Sequence, residues 1–385
     1  MALLLSSHNV DKYLRDVKFC TDTEADLLHV DSVAAKNFNL LVTLSNGNKY
    51  LVKQERLVSD GKAAGEFLNE WRIQEFLQLF PERDSFRSLL PVVSHFDAEN
   101  SIIVFNYLDD YRDLADFYAK ENIFSSAIAS SIGIIAATIH SSTFNRQDYQ
   151  EFFERDSENK LKGLVPNLID SLERITPEIF GLVPADGLKF FVLYQRYESL
   201  AQAITELSTA YNPCCLTHND LKLNNILIHQ DWHQSNQNIV RLIDWERSAW
   251  GDPAFDLGTL IGSYLLIWLS SLVISQTLSI EESLRLAATP LEQIQSSISA
   301  MTAAYCDTFP EIREQRPDFL KRVLQFAGLA LIQQIQAAIQ YQKSFGNTGI
   351  CTLQVAKSLL CHPERSMPTV FGSAAASLTQ LNQAA

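Results

Sequence analysis

The chain has 385 residues, 46% hydrophobic and 20% charged, with a formal net charge of −14. That length exceeds one small core and suits two lobes, each with its own apolar interior. The acidic balance argues against a nucleic-acid partner and against adhesion to anionic membranes, while leaving room for a cationic ligand.

Taken in chain order, Met1-Ala-Leu-Leu-Leu-Ser-Ser-His8 has neither a basic stretch nor a long apolar run, so no secretory signal is expected. Residues 27–56 read as a β-meander: Leu27–Val30, Asn39–Leu44 and Tyr50–Lys53. Asn46-Gly47 predicts a two-residue hairpin loop with φ > 0 at both positions. From about Lys62 to Phe80, Phe67, Trp71, Phe76 and Leu77 fall at helical spacing, and Pro81 ends the run. Pro91–Phe96 and Ser101–Tyr107 complete a five-stranded antiparallel small lobe with one helix. Ile123–His140 is a helical run, and a capping or packing role is expected for His140 rather than metal binding. Residues 141–213 hold Gln150–Asp156, Leu168–Leu172 and an apolar-periodic run over Leu188–Leu207. Helices are predicted over Leu291–Phe309 and Phe319–Gln342, and a loose tail over Ser366–Ala385.

Leu257–Ile280 runs without a charge and is long enough to span a bilayer, yet it starts beside Asp256 and carries Ser263, Ser270, Ser271 and Ser275. A buried core helix is expected there. The six cysteines (Cys20, Cys214, Cys215, Cys306, Cys351, Cys361) contain no C-x-x-C pair, so reduced thiols and a cytoplasmic location are expected.

The densest chemistry lies between Leu216 and Gly258. His218-Asn-Asp220-Leu-Lys222-Leu-Asn-Asn225 precedes the apolar run Ile226-Leu-Ile228, and Ile239–Ile243 then delivers Asp244-Trp-Glu246. An Asp before a short loop can accept the proton of an attacking hydroxyl. An Asn five positions later and an Asp beyond the next strand can hold Mg2+ on a triphosphate. The two apolar runs predict a hairpin that carries Asn225 and Asp244 at one end. Asp252 and Asp256 are expected to accept backbone N–H groups of the loop.

This arrangement resembles the aminoglycoside phosphotransferase and choline kinase superfamily, which shares the protein-kinase fold. His218-x-Asp220-x4-Asn225 matches the catalytic loop of that family, in its choline kinase spelling, and Ile243-Asp244-Trp245-Glu246 matches its metal motif. The resemblance implies a bilobal α+β fold: a five-stranded N-lobe over 1–107 and a mainly helical C-lobe over 108–365. It implies Asp220 as base, Lys222 on the transferring phosphoryl group, His218 in support of the loop, and Asn225 and Asp244 on Mg2+. Lys53 falls where the family binds ATP phosphates, with Glu70 as its helix partner and Glu66 as the competitor. Asn106 and Tyr107 open the hinge that meets adenine. Asn37 belongs to the nucleotide-covering loop, which here (Val33–Asn39) has no glycine and so approaches phosphates less closely. Asn37-Phe-Asn39, Val52-Lys53-Gln54 and Phe255-Asp256-Leu-Gly are also similar to methylthioribose kinases, which usually lack the loop Asn.

The implied activity is transfer of the ATP γ-phosphoryl group to a hydroxyl of a small molecule: an aminoglycoside, an amino alcohol or a sugar. Two other classes compete. A degenerate nucleotide-binding module is suggested by the glycine-free loop and opposed by the complete Asp220, Asn225, Asp244 set. A protein kinase is suggested by Asp220-Leu-Lys222, but no activation segment separates Asp244 from Asp252.

Overall fold

The computed structural model describes residues 3–20, 29–33, 37–56, 65–155, 165–167, 185–234, 239–275 and 277–380. The strand start at Leu27 and Leu28, the loop residues Ala34–Lys36 and the Leu168–Leu172 run lie outside these. Contacts divide the chain into two units, Met1–Arg112 with Leu227–Ser248, and Asp113–Arg155 with Leu161–Ile226 and Ala249–Ala385. The segment 227–248 thus belongs with the first unit, because its strands join Tyr111–Asp113 in a three-stranded sheet.

The first unit is built on an antiparallel sheet of β1 (His29–Val33), β2 (Phe38–Thr43), β3 (Lys49–Gln54), β4 (Val93–Asp97) and β5 (Ile102–Asn106), in the order β1-β2-β3-β5-β4. Alternation sorts β5 onto two faces. Ile103 and Phe105 pack with Phe67 of helix α2 (Glu66–Leu79), whereas Ile102 and Val104 face the opposite cluster. That second cluster includes a feature absent from the sequence reading. Residues 3–20, with helix α1 (Val10–Asp16), cover the sheet through Leu5, Val10, Tyr13, Leu14 and Cys20. Gln54 fastens the cover: its Oε1 accepts the Leu5 N–H at 2.7 Å and its Nε2 donates to the Leu3 carbonyl at 2.7 Å. A seven-residue helix is too short to give a periodic signal.

The β2–β3 loop corrects an expectation. The Gly47 N–H donates to the Leu44 carbonyl at 3.0 Å and the Leu44 N–H to that of Asn48 at 2.8 Å, which closes a three-residue loop. Gly47 alone takes positive φ, at 87°. The Asn46 side chain instead accepts the Asn48 N–H at 2.9 Å, which favours a type I turn followed by a left-handed glycine. Helix α2 starts at Glu66 behind Gly65 (φ 89°), its first turn capped from a distance by the buried Glu55 carboxylate. Glu55 accepts the Glu66 N–H at 3.0 Å and the Ser101 hydroxyl at 2.7 Å. A carboxylate at that end also suits the helix dipole.

The second unit is mainly helical: α3 (Leu114–Glu121), α4 (Ser126–Thr143), α5 (Gln147–Glu154), α6 (Ala185–Gln195), α7 (Glu198–Ala210), α8 (Pro253–Ser271), α9 (Ile280–Arg285), α10 (Leu291–Thr308), α11 (Glu311–Gln315), α12 (Phe319–Gln342), α13 (Asn347–Cys361), α14 (Pro363–Phe371) and α15 (Ala375–Gln380). Among the described residues α8 is the one helix long and apolar enough to cross a membrane. It is shorter than the uncharged run that encodes it, and it packs on α12. There a Cβ at Gly258 would come within 2.7 Å of the Val323 carbonyl, so only glycine permits the approach. The tail from Ser366 is not loose over its described part. Met367, Val370, Phe371, Ala375 and Leu378 are buried at helical spacing within α14 and α15.

Candidate active site

In the second unit the strand Cys215–Thr217 pairs with Ala249–Gly251 and leads into His218-Asn219-Asp220. Gly251 leaves room for Thr217, whose hydroxyl lies 2.9 Å from Asn219 Oδ1 and 3.1 Å from the Ala249 carbonyl. Asn219 takes φ 60°, a left-handed conformation that Asn tolerates better than most residues. Asp256, in the first turn of α8 and fully buried, accepts the N–H of His218 at 2.7 Å and that of Asn219 at 2.8 Å. His140 Nε2 lies 3.2 Å from the same carboxylate, and its Nδ1 lies 2.8 Å from the Tyr305 hydroxyl. Burial pushes the Tyr305 hydroxyl pKa up, so it stays protonated and can donate to Nδ1, which leaves Nε2–H for Asp256.

Asp252 behaves differently from the expectation that it too accepts loop N–H groups. It caps α8 through the Ala254 N–H at 2.9 Å and accepts the Asn212 N–H at 2.9 Å. Arg316 grips both of its oxygens. Sequence reading missed Arg316, because nothing near position 316 marks a partner 64 residues away.

The loop presents four side chains together. Lys222 Nζ lies 2.9 and 3.1 Å from the two Asp220 oxygens. Asn225 Nδ2 donates to the Asp220 carbonyl at 2.8 Å and to its carboxylate at 3.1 Å. His218, 1% exposed, places Nδ1 3.3 Å from the Asp220 N–H. The structure therefore gathers Asp220, Lys222, Asn225 and His218, and leaves Asp220 about one-fifth exposed.

In the first unit Lys53 Nζ donates to Asp244 at 2.5 Å and lies 5.1 Å from the centre of the Phe105 ring. Burial works to lower the Lys53 pKa, but the charges of Asp244 and Glu70 outweigh it and hold the ammonium above its ordinary range. Glu70 is buried in α2, and desolvation pushes its carboxyl up to about 8; the Asp244 charge adds to the rise and Lys53 opposes it. Lys53, Glu70 and Asp244 are thus electrostatically coupled, and the ion pair is made by Asp244. Glu66, the competing helix carboxylate, is only partly buried. Asp244 has φ 61° and ψ 59°, a left-handed backbone of the kind found at functional sites. Asn106 donates its N–H to the Val92 carbonyl and Tyr107 its N–H to that of Lys49, each at 2.9 Å. Asn37 stands just before β2, partly buried.

Among the described residues no group of three or more His, Cys, Asp or Glu is placed to hold a metal. The Asp244 carboxylate and the Asn225 amide oxygen are hard donors of the kind Mg2+ takes. Each is a single donor within its own unit, which suits a metal that completes its shell with water and phosphate oxygens.

An antiparallel five-stranded unit followed by a mainly helical one, with a His-x-Asp loop and an Asp after the next strands, defines a kinase-like phosphotransferase. The sequence profile of the phosphotransferase enzyme family matches residues 37–278, well over half of the chain, and the protein belongs to that family. Solved structures agree on the fold. A Plasmodium vivax ethanolamine kinase is 14% identical, with 93% of this chain and 88% of that one covered and a TM-score of 0.52. A glucosamine kinase solved with glucosamine, ADP and inorganic phosphate is also 14% identical, with 88% and 82% covered and a TM-score of 0.52. No curated protein sequence matches the chain.

Proposed function

We propose that this phosphotransferase moves the γ-phosphoryl group of Mg·ATP to a hydroxyl of a small molecule. The observation that carries the reading is Asp220: a part-exposed carboxylate beside Lys222 and Asn225, on a loop held by the buried Asp256. In this mechanism Asp220 orients the acceptor hydroxyl and takes its proton, and Lys222 offsets charge on the group in transfer. Lys53 holds ATP phosphates, while Asn225 and Asp244 would hold Mg2+, which supplies charge neutralisation on those phosphates. Positioning and electrostatics account for most of the acceleration in such chemistry.

The net charge of −14 is compatible with a cationic acceptor, and amino alcohols, aminoglycosides and sugars are the classes to test. The absence of a disulfide among the six cysteines is compatible with a reducing, cytoplasmic setting. The test is ADP release by purified protein across a panel of amino alcohols, aminoglycosides and sugars, with Asp220→Asn as the control. ADP release that rises at least tenfold with one acceptor, and is lost in the variant, is expected. Mg·ATP binding with no turnover on any acceptor would favour a degenerate module.

A further inference from the structure

Helix α2 carries two adjacent polar side chains, Asn69 and Glu70, each 4% exposed. Both engage the residues that follow Asp244. Asn69 Nδ2 donates to the Glu246 carbonyl at 2.9 Å and to the Ser248 carbonyl at 2.8 Å. The Trp245 N–H donates to the Glu70 carboxylate. The Ser248 N–H donates back to the Trp245 carbonyl at 2.9 Å and closes a tight turn over Trp245–Arg247. A tight helical turn ends with carbonyls that lack internal donors, and one amide group with two hydrogens answers both. Trp245, 2% exposed, adds an indole N–H to the Leu242 carbonyl at 3.1 Å. Asp244 enters this turn in a left-handed conformation that a non-glycine residue keeps only where its surroundings enforce it.

We propose that Asn69 is a positioning residue for the metal carboxylate: by clamping Glu246 and Ser248 to α2 it holds the Trp245–Ser248 turn, and hence the backbone that aims Asp244. The inference rests on reading Asp244 as a Mg2+ ligand. It makes α2 the common support of both charges that act on the phosphates, since Glu70 next door acts on Lys53. Glu70 acts on Lys53 through its carboxyl group, and Asn69 supplies geometry alone.

The test is Asn69→Leu, close in shape and without donors, with Asn69→Ala as a second variant should the first fold poorly. Two measurements are made on each full-length protein: calorimetric ADP affinity with Mg2+ and with EDTA, and hydrogen exchange of the metal-free protein. The expected result is at least a tenfold loss of Mg·ADP affinity, unchanged ADP affinity in EDTA, and faster exchange confined to Trp245–Ser248. Mg·ADP affinity equal to wild type overturns the inference. So does an equal loss with and without metal, or faster exchange across the sheet, either of which marks a general structural role. Wild-type protein that binds ADP equally with and without Mg2+ overturns the underlying reading of Asp244 instead.

Discussion

Arg316 holds Asp252 through two parallel N–H···O bonds of 2.7 and 3.0 Å, with the carboxylate fully buried and the guanidinium nearly so. The pair joins the start of α8 to the chain just before α12. Removing one partner strands a buried charge, which typically costs about 3–5 kcal/mol. We expect Arg316→Met to lose about that much stability in denaturant titration. The double variant Arg316→Met with Asp252→Asn should recover part of it; a double variant worse than the sum of the singles would refute the pairing as the cause.

Asp220 and Asp244 should fail in different ways. Asp220→Ala is expected to cut turnover by roughly 10²- to 10⁴-fold, the range for a lost general base. Its Mg·ATP affinity should stay within severalfold of wild type. Asp244→Ala should weaken Mg·ATP binding itself. Equal loss of nucleotide binding in both variants would contradict the division of roles.

Lys53→Met tests the small-lobe assignment. Loss of a charge-assisted phosphate contact is expected to remove about 3 kcal/mol from kcat/KM, roughly a hundredfold. Unchanged kcat/KM would mean that the phosphates are held by other groups.

Glu70 gives the metal-free protein a pH signature. Its folded pKa of about 8 lies above the ordinary 4.5, so between these values the folded state binds a proton that the unfolded state has released. The stabilisation is therefore complete below pH 4.5 and is lost as pH rises through about 8. In thermal melts from pH 5 to 9, wild type should lose stability relative to Glu70→Gln, which keeps a neutral side chain throughout. Parallel profiles would show that Glu70 is ionised in the folded protein.

The candidate catalytic loop was legible because its chemistry is contiguous: His218, Asp220, Lys222 and Asn225 stand within eight residues, followed by a strand whose period is plain. Asp256 was legible for a related reason, since an acidic residue at a helix start near a loop rich in N–H groups has an obvious use. Asp252 has the same signature but a different partner, and its partner Arg316 is set by how helices pack, which local pattern does not encode. Asn69 was hidden for the opposite reason. Beside Glu70, a carboxylate with a ready electrostatic role, an amide on the same helix reads as a solvated side chain until its two acceptors, the Glu246 and Ser248 carbonyls, are seen. The tail helices and α1 were missed because each is only two turns or so long, and packing rather than propensity stabilises helices of that length.

The cover formed by residues 3–20 also orders events in time. During synthesis these residues leave the ribosome well before Ile102 and Val104, against which they pack. At about 5–20 residues per second the wait is on the order of ten seconds. Through that interval Leu5, Val10, Tyr13 and Leu14 have only the β1–β3 meander to pack against, without Ile102 and Val104. The apolar face under the cover is therefore completed late, when β5 arrives beside β3, and a chain stalled before Asn100 would leave part of that face for chaperones to hold.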